Sequence, residues 1–516
     1  MAQSLWRSTM IVSFMTLMSR ILGLVRDMVL LNVFGAGGVM DAFLVAFKIP
    51  NFFRRLFAEG AFSQAFVPVL TEYKTQKDHQ AVQILISRVA GALTMILSLM
   101  SVFAVVSAPL IITLFAPGFQ GSPDKFELAV ELLRLTFPYL LLMSLTAFAS
   151  SVLNSYGSFA TPSIAPVLLN LTMIAAALWA RPWFSPEILS LGWAVIVAGV
   201  LQLAIQIPEL WNRKLLIPPK VDFQHEGVRR ILKLMTPALF GVSVVQINLL
   251  LNTIWASFMQ TGSVTWLYSA ERMTELPLGL IGIAIATVIL PALSAKHAEQ
   301  DHEKFRQMID WAARVILLVG VPCSVAMFFL SEPIIHALFM KGEFGPTDVS
   351  KTALALQGMS LSILTFMLIK IFAPAFYARQ DTRTPVRIGL IAVAVNMVLN
   401  VVLIGLFKWA GWANPHICLA LSSTLASCVN AGLLYWHLHR QDVYRFGAHW
   451  KRISGQYLIA NTGLVLTLWL ILPYYPEHAH QLVRALAVIA MCAVAGVGFS
   501  VALFASGFRV RDLRHP

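Results

Sequence analysis

Long apolar runs separated by short polar breaks fill this 516-residue chain from end to end. A membrane-spanning helix needs about 20 mostly apolar residues, and runs of that length recur without a long polar stretch that would form a separate domain outside the membrane. The pattern predicts an all-α polytopic membrane protein with fourteen membrane-spanning helices, numbered here as spans 1 to 14. Their predicted ranges are 8–34, 39–70, 81–115, 126–155, 161–181, 187–211, 227–259, 266–295, 304–331, 350–378, 384–408, 415–439, 450–473 and 482–507.

Composition supports a membrane protein and explains its basic charge. Hydrophobic residues make up 58% of the chain and charged residues only 12%, against about 25% charged in an average soluble domain. The net charge is +13, and cytoplasmic loops of membrane proteins collect Lys and Arg. With a cytoplasmic N-terminus, the predicted inside segments hold 21 Lys and Arg and the outside segments hold 5. Both termini are therefore predicted to be cytoplasmic, and nucleic acid is not an expected partner.

The chain contains an internal duplication, in which four landmarks recur after 223 to 227 residues. The matching pairs are Pro50 with Pro277, Pro68 with Pro291, ITLFAPGF at 112–119 with HALFMKGEF at 336–344, and Pro162 with Pro385. Six spans separate equivalent points, so the two halves should be parallel repeats, as in many secondary transporters. We expect two six-helix repeats around a central cavity, with an N-lobe over 1–215, a C-lobe over 216–445 and a C-terminal helix pair over 446–516.

Charged residues inside the predicted spans concentrate in spans 1, 2 and 8. They are Arg20, Arg26 and Asp27 in span 1; Asp41, Lys48, Arg54, Arg55 and Glu59 in span 2; and Glu271, Arg272 and Glu275 in span 8. A charged side chain at mid-span costs about 2.5–3.5 kcal/mol. Five lipid-exposed cations would together cost about 12–17 kcal/mol on that scale. These side chains must therefore face water, each other or a ligand.

Helical spacing groups the charges of span 2 without fixing which arginine faces a cavity. Positions seven apart fall within about 20° of one another on a helix, which places Asp41, Lys48 and Arg55 on one stripe. Pro50 should kink or break this helix and turn its second half. The choice between Arg54 and Arg55 stays open on spacing alone.

The surplus of cations in spans 1 and 2 favours an anionic substrate. These spans hold five Lys and Arg against three acids, and guanidinium groups match phosphate oxygens well. Structural ion pairs among the charges are the simpler alternative. A multidrug exporter of cationic compounds should instead line its pocket with acids.

Other chemistry has little support in the chain. The sequence lacks the phosphate-binding loop G-x-x-x-x-G-K-[ST] and any recognisable set of catalytic residues, so we expect a protein that is not an enzyme. Its four cysteines lie in apolar runs with no CxxC pair, and no metal site is predicted. We expect no cofactor, and energy from the membrane potential or an ion gradient.

Four segments together resemble a known family. They are MSRILGLVRD at 18–27, FGAGGVMDAFLVAFKIPNFFRRLFAEGAFSQAFVPVLTEYK at 34–74, GSVTWLYSAERMTELPLG at 262–279 and YARQDTRTPV at 377–386. They look like the MurJ (MviN) lipid II flippases, within the multidrug/oligosaccharidyl-lipid/polysaccharide exporter superfamily. The resemblance implies fourteen helices in two lobes with an additional pair. It also implies alternating access that carries lipid II, an undecaprenyl-pyrophosphate-linked precursor of peptidoglycan, from the cytoplasmic to the periplasmic leaflet of the bacterial inner membrane.

The resemblance also implies roles for individual residues. The residues expected to bind pyrophosphate are Arg20, Arg26, Lys48, Arg54 and Arg272. The residues expected to gate the cavity or balance its charge are Asp27, Asp41, Asn51, Glu59, Thr265 and Glu275, with Thr265 standing where the family has a serine. Asp381 is the one candidate for a cation ligand.

The implied partners are lipid II, membrane lipids and other proteins of cell-wall synthesis, and we expect a monomer. Three alternatives remain at this point. The chain could be a flippase for another polyprenyl-linked oligosaccharide, a multidrug-type exporter of the same superfamily, or a non-transporting scaffold for wall synthesis.

Overall fold

The computed structural model describes residues 2–56 and 62–509, with side chains described from residue 14 onward apart from 237–249 and six positions between 280 and 287. Regular structure in this part of the chain is helical, apart from one isolated bridge between Lys341 and Phe344. The prediction of an all-α polytopic protein is confirmed. The chain forms two compact units, 1–264 and 265–516.

The first unit contains the helices α1 to α11. They are α1 Ala2–Phe34, α2 Gly38–Arg54, α3 Ser63–Gln76, α4 His79–Val106, α5 Ala108–Phe115, α6 Pro123–Thr136, α7 Tyr139–Ser155, α8 Ala160–Ala175, α9 Leu189–Ala204, α10 Ile207–Asn212 and α11 Glu226–Ser257. Helix α1 packs on α8, α2 packs on α6, and α11 packs on α3 and α4. Phe66 and Phe148, with ring centroids 5.1 Å apart, lie in the core between α3 and α7.

The second unit contains α12 to α20, although the first two residues of α12 belong to the first unit. These helices are α12 Ser263–Pro277, α13 Ile283–Ala298, α14 His302–Phe329, α15 Ser331–Phe339, α16 Pro346–Tyr377, α17 Arg383–Trp409, α18 His416–Arg440, α19 His449–Ile471 and α20 Gln481–Ala505. Helix α16 packs against both α14 and α18, and the C-terminal pair α19 and α20 pack on each other. Glycine is required in that pair because a Cβ atom on Gly463 would lie 2.6 Å from the Cβ of Ala502.

Every predicted span contains helix, but several predicted continuous spans are broken. Span 3 divides into α4 and α5 beside Pro109, and span 4 divides into α6 and α7 at Phe137 and Pro138. Proline lacks the N–H that continues a helix and clashes with the preceding turn, which explains these breaks. Helix α15 lies between predicted spans 9 and 10, where the hydropathy pattern predicts no helix.

The number of spans stays a prediction. Ten helices in the described residues are long and apolar enough to cross a membrane. The other four predicted spans, 8–34, 39–70, 227–259 and 266–295, overlap undescribed side chains, and three of them carry the intramembrane charges.

Helix starts repeat along the chain as the duplication predicts. Helix α4 begins at residue 79 and α14 at 302, 223 residues later, and α8 and α17 begin at 160 and 383, again 223 apart. The first pair also has equivalent caps. Asp78 accepts a hydrogen bond from the Ala81 N–H at 3.1 Å, and Asp301 accepts one from the Lys304 N–H at 3.0 Å, each satisfying a helix N-terminal donor.

The boundary at residue 264 differs from the predicted lobe boundary at 215, and the three-part division stays a prediction.

Candidate functional site

Arg26 lies in the interior of the first unit, on α1, with only 7% of its surface exposed. Its Nε and Nη2 atoms donate to Oδ1 of the adjacent Asp27 at 2.9 and 2.6 Å. Its Nη1 atom donates to Oδ1 of Asn170 on α8 at 3.1 Å. A buried cation must be paired or hydrogen-bonded to be tolerated, and these contacts meet that need.

Asn170 was not predicted from the sequence. Its Nδ2 donates to the backbone carbonyl of Ser19 on α1 at 3.1 Å. The Asn170 amide therefore contacts α1 twice, at the Ser19 backbone and at the Arg26 side chain. The available signal was a single amide in the apolar run IAPVLLNLTM at 164–173. An amide at membrane depth needs partners, but the sequence could not say which.

Helix α2 continues through Pro50, and nearby side chains donate hydrogen bonds to backbone carbonyls in the turn before the proline. Because Pro50 has no N–H, the carbonyl of Ala46 loses its usual helical donor. The hydroxyl of Thr136 on α6 donates to that carbonyl at 3.2 Å. Asn51 donates from Nδ2 to the carbonyl of Phe47 at 2.8 Å. The α-helix ends at Arg54, and residues 55–56 are π-helical. The helix geometry therefore changes five residues after the proline.

Arg54 and Arg55 differ in their surroundings. Arg54 is half-buried, and its Nε donates to Oδ1 of Asn51 at 3.1 Å, whereas Arg55 is exposed. The seven-residue stripe had grouped Arg55 with Lys48, but the side chain that contacts the predicted site residue Asn51 is Arg54. The two arginines thus differ in exposure and contacts, and the assignment of Arg54 to the site stays a prediction.

The remaining predicted residues of spans 1 and 2 are distributed along the first unit. Arg20 and Lys48 are half-buried on α1 and α2. Asp41 is 1% exposed and accepts hydrogen bonds from Lys125 Nζ at 3.0 Å and from the Gly262 N–H at 2.8 Å. Asp41 therefore balances the charge of Lys125, which belongs to a predicted outside segment. Glu59 lies outside the described residues.

The second unit holds its predicted site residues in a different environment. Arg272 donates from Nη1 to Oε2 of Glu275 at 3.0 Å, with side chains 32% and 55% exposed. Glu271 is half-buried. Thr265 is fully buried, and its carbonyl accepts a hydrogen bond from the hydroxyl of Ser269. Arg272 and Glu275 thus form a partly exposed ion pair within one helix.

Asp381 caps a helix. It lies in the loop before α17 and accepts hydrogen bonds from the backbone N–H of Thr384 at 3.0 Å and from its hydroxyl at 2.6 Å. Burial alone would raise the pKa of Asp381, but the hydrogen bonds from Thr384 and the charge of Arg379 outweigh burial and hold the pKa below its usual range. Within the described ranges, no three His, Cys, Asp or Glu side chains come together as metal ligands.

Comparison with known proteins gives consistent matches over nearly the whole chain. The family model described as "Lipid II flippase MurJ" matches residues 30–490. A probable lipid II flippase MurJ of Haemophilus influenzae is 42% identical, covering 97% of this chain and 99% of its own. The corresponding protein of Vibrio cholerae is 41% identical, covering 99% and 98%. A lipid II flippase MurJ of Burkholderia cenocepacia is 40% identical, covering 90% and 89%.

Solved structures agree with these relatives. A lipid II flippase MurJ in an inward closed conformation superimposes with a TM-score of 0.75 at 25% identity, covering 96% of this chain and all of that one. An inward-facing multidrug resistance transporter of the MATE family, in the MOP superfamily, gives a TM-score of 0.65 at 15% identity, covering 82% and 95%. The second likeness concerns the fold alone.

Proposed function

This chain belongs to the lipid II flippase MurJ family, and from that membership we propose that it moves lipid II across the bacterial cytoplasmic membrane. Movement is from the cytoplasmic to the periplasmic leaflet, by alternating access, for the synthesis of the cell wall. The protein is a multi-pass bacterial membrane protein, with both termini on the cytoplasmic side. It acts as a transporter without catalysis.

The observation that carries this proposal is the way the first unit holds its arginines. Arg26 and Arg54 each donate to the oxygen of a side-chain amide, Asn170 or Asn51. An amide oxygen orients a guanidinium without adding negative charge, so Asn170 and Asn51 do not compete with an anionic ligand. Asp27 also pairs with Arg26, and the ligand has to displace it. A pyrophosphate group can accept several charge-assisted hydrogen bonds from such guanidiniums. Arg20 and Lys48, both half-buried in the same unit, add to the positive potential.

Transport needs a source of energy other than a bound nucleotide. The membrane potential supplies about 2.3 kcal/mol for each elementary charge moved through 100 mV. The pyrophosphate carries negative charge, so the potential, negative on the cytoplasmic side, favours its movement to the periplasmic side. Asp381 is engaged as a helix cap, and we assign no coupling ion to it.

Depletion in a bacterium whose growth depends on this chain tests the proposed substrate. Lipid II should accumulate on the cytoplasmic side and the cells should lyse as the wall fails. Loss of a surface glycan with normal walls and normal lipid II would instead identify a flippase for another polyprenyl-linked saccharide. Increased sensitivity to cationic drugs with intact walls would identify a multidrug exporter.

Reconstitution separates a transporter from a scaffold. Single cysteines placed at residues near Arg26 and Arg54 in proteoliposomes should change their reactivity with a water-soluble maleimide when lipid II is added. A scaffold would show the same reactivity with and without lipid II. The chain's own cysteines, at 323, 418, 428 and 492, are first replaced by serine or alanine.

A further inference from the structure

We propose that Asn170 is a positioning residue for the substrate's pyrophosphate, acting through Arg26. This inference rests on the proposed function, because it assumes that Arg26 meets an anionic head group. The observation behind it is one buried amide that joins a functional guanidinium to the backbone of the helix that carries it. Asn170 itself is 5% exposed.

The two hydrogen bonds of Asn170 fix the direction of its amide. Its Nδ2 needs an acceptor and takes the carbonyl of Ser19, so its Oδ1 faces the Nη1 of Arg26. Ser19 and Arg26 lie seven residues apart, on the same face of α1. A long helical side chain points back toward the helix N-terminus, which brings the guanidinium of Arg26 toward the level of Asn170.

The chemical type of the residue matters as much as its place. Asp27 holds Nε and Nη2 of Arg26 through a carboxylate, and a carboxylate competes with phosphate for the same charge. Asn170 holds Nη1 through a neutral oxygen. When pyrophosphate displaces Asp27 from the guanidinium, Asn170 keeps the guanidinium in position without reducing its charge.

The same arrangement recurs at Arg54. Asn51 accepts from Arg54 Nε and donates to a backbone carbonyl of its own helix. In each case an asparagine uses its N–H group on a backbone carbonyl and its oxygen on a guanidinium. For Arg54 the asparagine is three residues away on the same helix, whereas for Arg26 it comes from α8.

The test compares binding of two lipids to the purified full chain in nanodiscs. One probe is a polyprenyl pyrophosphate, and the other is the polyprenol with the same tail and no anion. Asn170→Ala should lower affinity for the pyrophosphate about tenfold, the effect of losing one charge-assisted hydrogen bond, and leave affinity for the polyprenol unchanged. Asn170→Asp, which keeps the size but adds a negative charge, should lower pyrophosphate affinity further.

Gln202→Ala is the matched control for a purely structural effect. Gln202 on α9 is also a fully buried amide, and its Nε2 donates to the carbonyl of Ala165 on α8 at 2.6 Å. This variant should lose thermal stability but bind both lipids as the wild type does. Equal weakening of both lipids by Asn170→Ala, or unchanged binding of both, would overturn the role of Asn170. A wild-type protein that binds the two lipids equally would contradict the proposed function as well.

Discussion

The helix pairs α2–α3 and α12–α13 have a similar backbone and opposite charge patterns. In each, a proline is followed by a π-helical turn, Pro50 by residues 55–56 and Pro277 by Leu278–Gly282, and the next helix contains a further proline, Pro68 or Pro291. Two residues before the first proline, α2 has Lys48 and α12 has Glu275. The two repeats thus share the proline and the π-helical turn, but differ in the charge of the side chain two residues before the proline.

The comparison separates scaffold from function. A broken helix in a membrane costs hydrogen bonds and is tolerated where neighbouring groups restore them or a cavity admits water. Such a break was retained twice, which indicates a role in the architecture of both repeats. Arg272, near the second interruption, pairs with Glu275. Lys48 and Arg54 lie on α2 before the first interruption, in a helix with more cations than acids. Substrate binding should therefore depend more on α2 than on α12.

Lys48→Glu gives α2 the charge that α12 has at the equivalent position, and we expect it to have the largest effect. The change removes a cation and adds an anion beside the pyrophosphate, so transport should fall at least about 100-fold. Lipid II transport by reconstituted protein measures this, with Lys48→Gln as an intermediate. Transport within a few-fold of wild type for Lys48→Glu would remove the basis of the comparison.

Arg54→Ala should come next, with a loss of transport of about 10- to 100-fold, because the guanidinium held by Asn51 would be absent. Arg54→Lys should recover part of this loss, since it restores charge without the forked donors. Arg55→Ala is the neighbouring control and should stay within about twofold in the same assay, because Arg55 is exposed. A larger transport loss for Arg55→Ala than for Arg54→Ala would instead place Arg55 in the site, on the stripe with Asp41 and Lys48.

Arg272→Ala should lower transport by less than Arg54→Ala does, by about tenfold or less. Its charge is partly cancelled by Glu275, and both side chains are more exposed than that of Arg26. Measured side by side with Arg54→Ala, an equal or larger loss would show that the second repeat contributes at least as much to substrate binding as the first.

Thr136→Val should affect stability and have the smallest effect on transport. The substitution removes the donor to the Ala46 carbonyl, the group that Pro50 leaves without its helical partner. Buried hydrogen bonds in membrane proteins are worth about 0.6–1.7 kcal/mol, and the free energy of unfolding should fall by that amount. Thr136→Ser keeps the hydroxyl and should show a smaller loss in reversible detergent unfolding. An equal fall in the free energy of unfolding for Thr136→Val and Thr136→Ser would show that altered packing, and not the lost hydrogen bond, causes the destabilisation.

Much of the fold could be predicted because it depends on local patterns. Hydropathy placed helix in all the predicted spans. The expected break at Pro50 is not seen, because α2 continues through Pro50 and becomes π-helical only at 55–56. Spacing alone did not separate Arg54 from Arg55, because the seven-residue stripe assumes an unbroken α-helix and the chain becomes π-helical at residue 55. Asn170 and Thr136 were missed because their partners lie 144 and 90 residues away in the chain. Periodicity carries no information about such pairs.

The division of the chain at residue 264 could not be read from the duplication either. By sequence, α11 opens the second repeat, but it packs on α3 and α4 of the first unit. Glu72 on α3 and Arg230 on α11 pair at 2.8 Å. Sequence similarity follows the history of the duplication, while compact units follow the packing of side chains. The two need not divide the chain at the same residue.

Native mass spectrometry of the purified protein tests most directly whether the cations of the first unit hold the substrate. The wild-type protein should carry a bound lipid with the mass of lipid II, and Arg54→Ala should lose most of it while Arg55→Ala retains it. All three proteins should keep the same thermal stability within a few degrees. Equal retention of lipid II by Arg54→Ala and wild type, or wild-type protein that takes up no lipid II when it is supplied, would contradict the account.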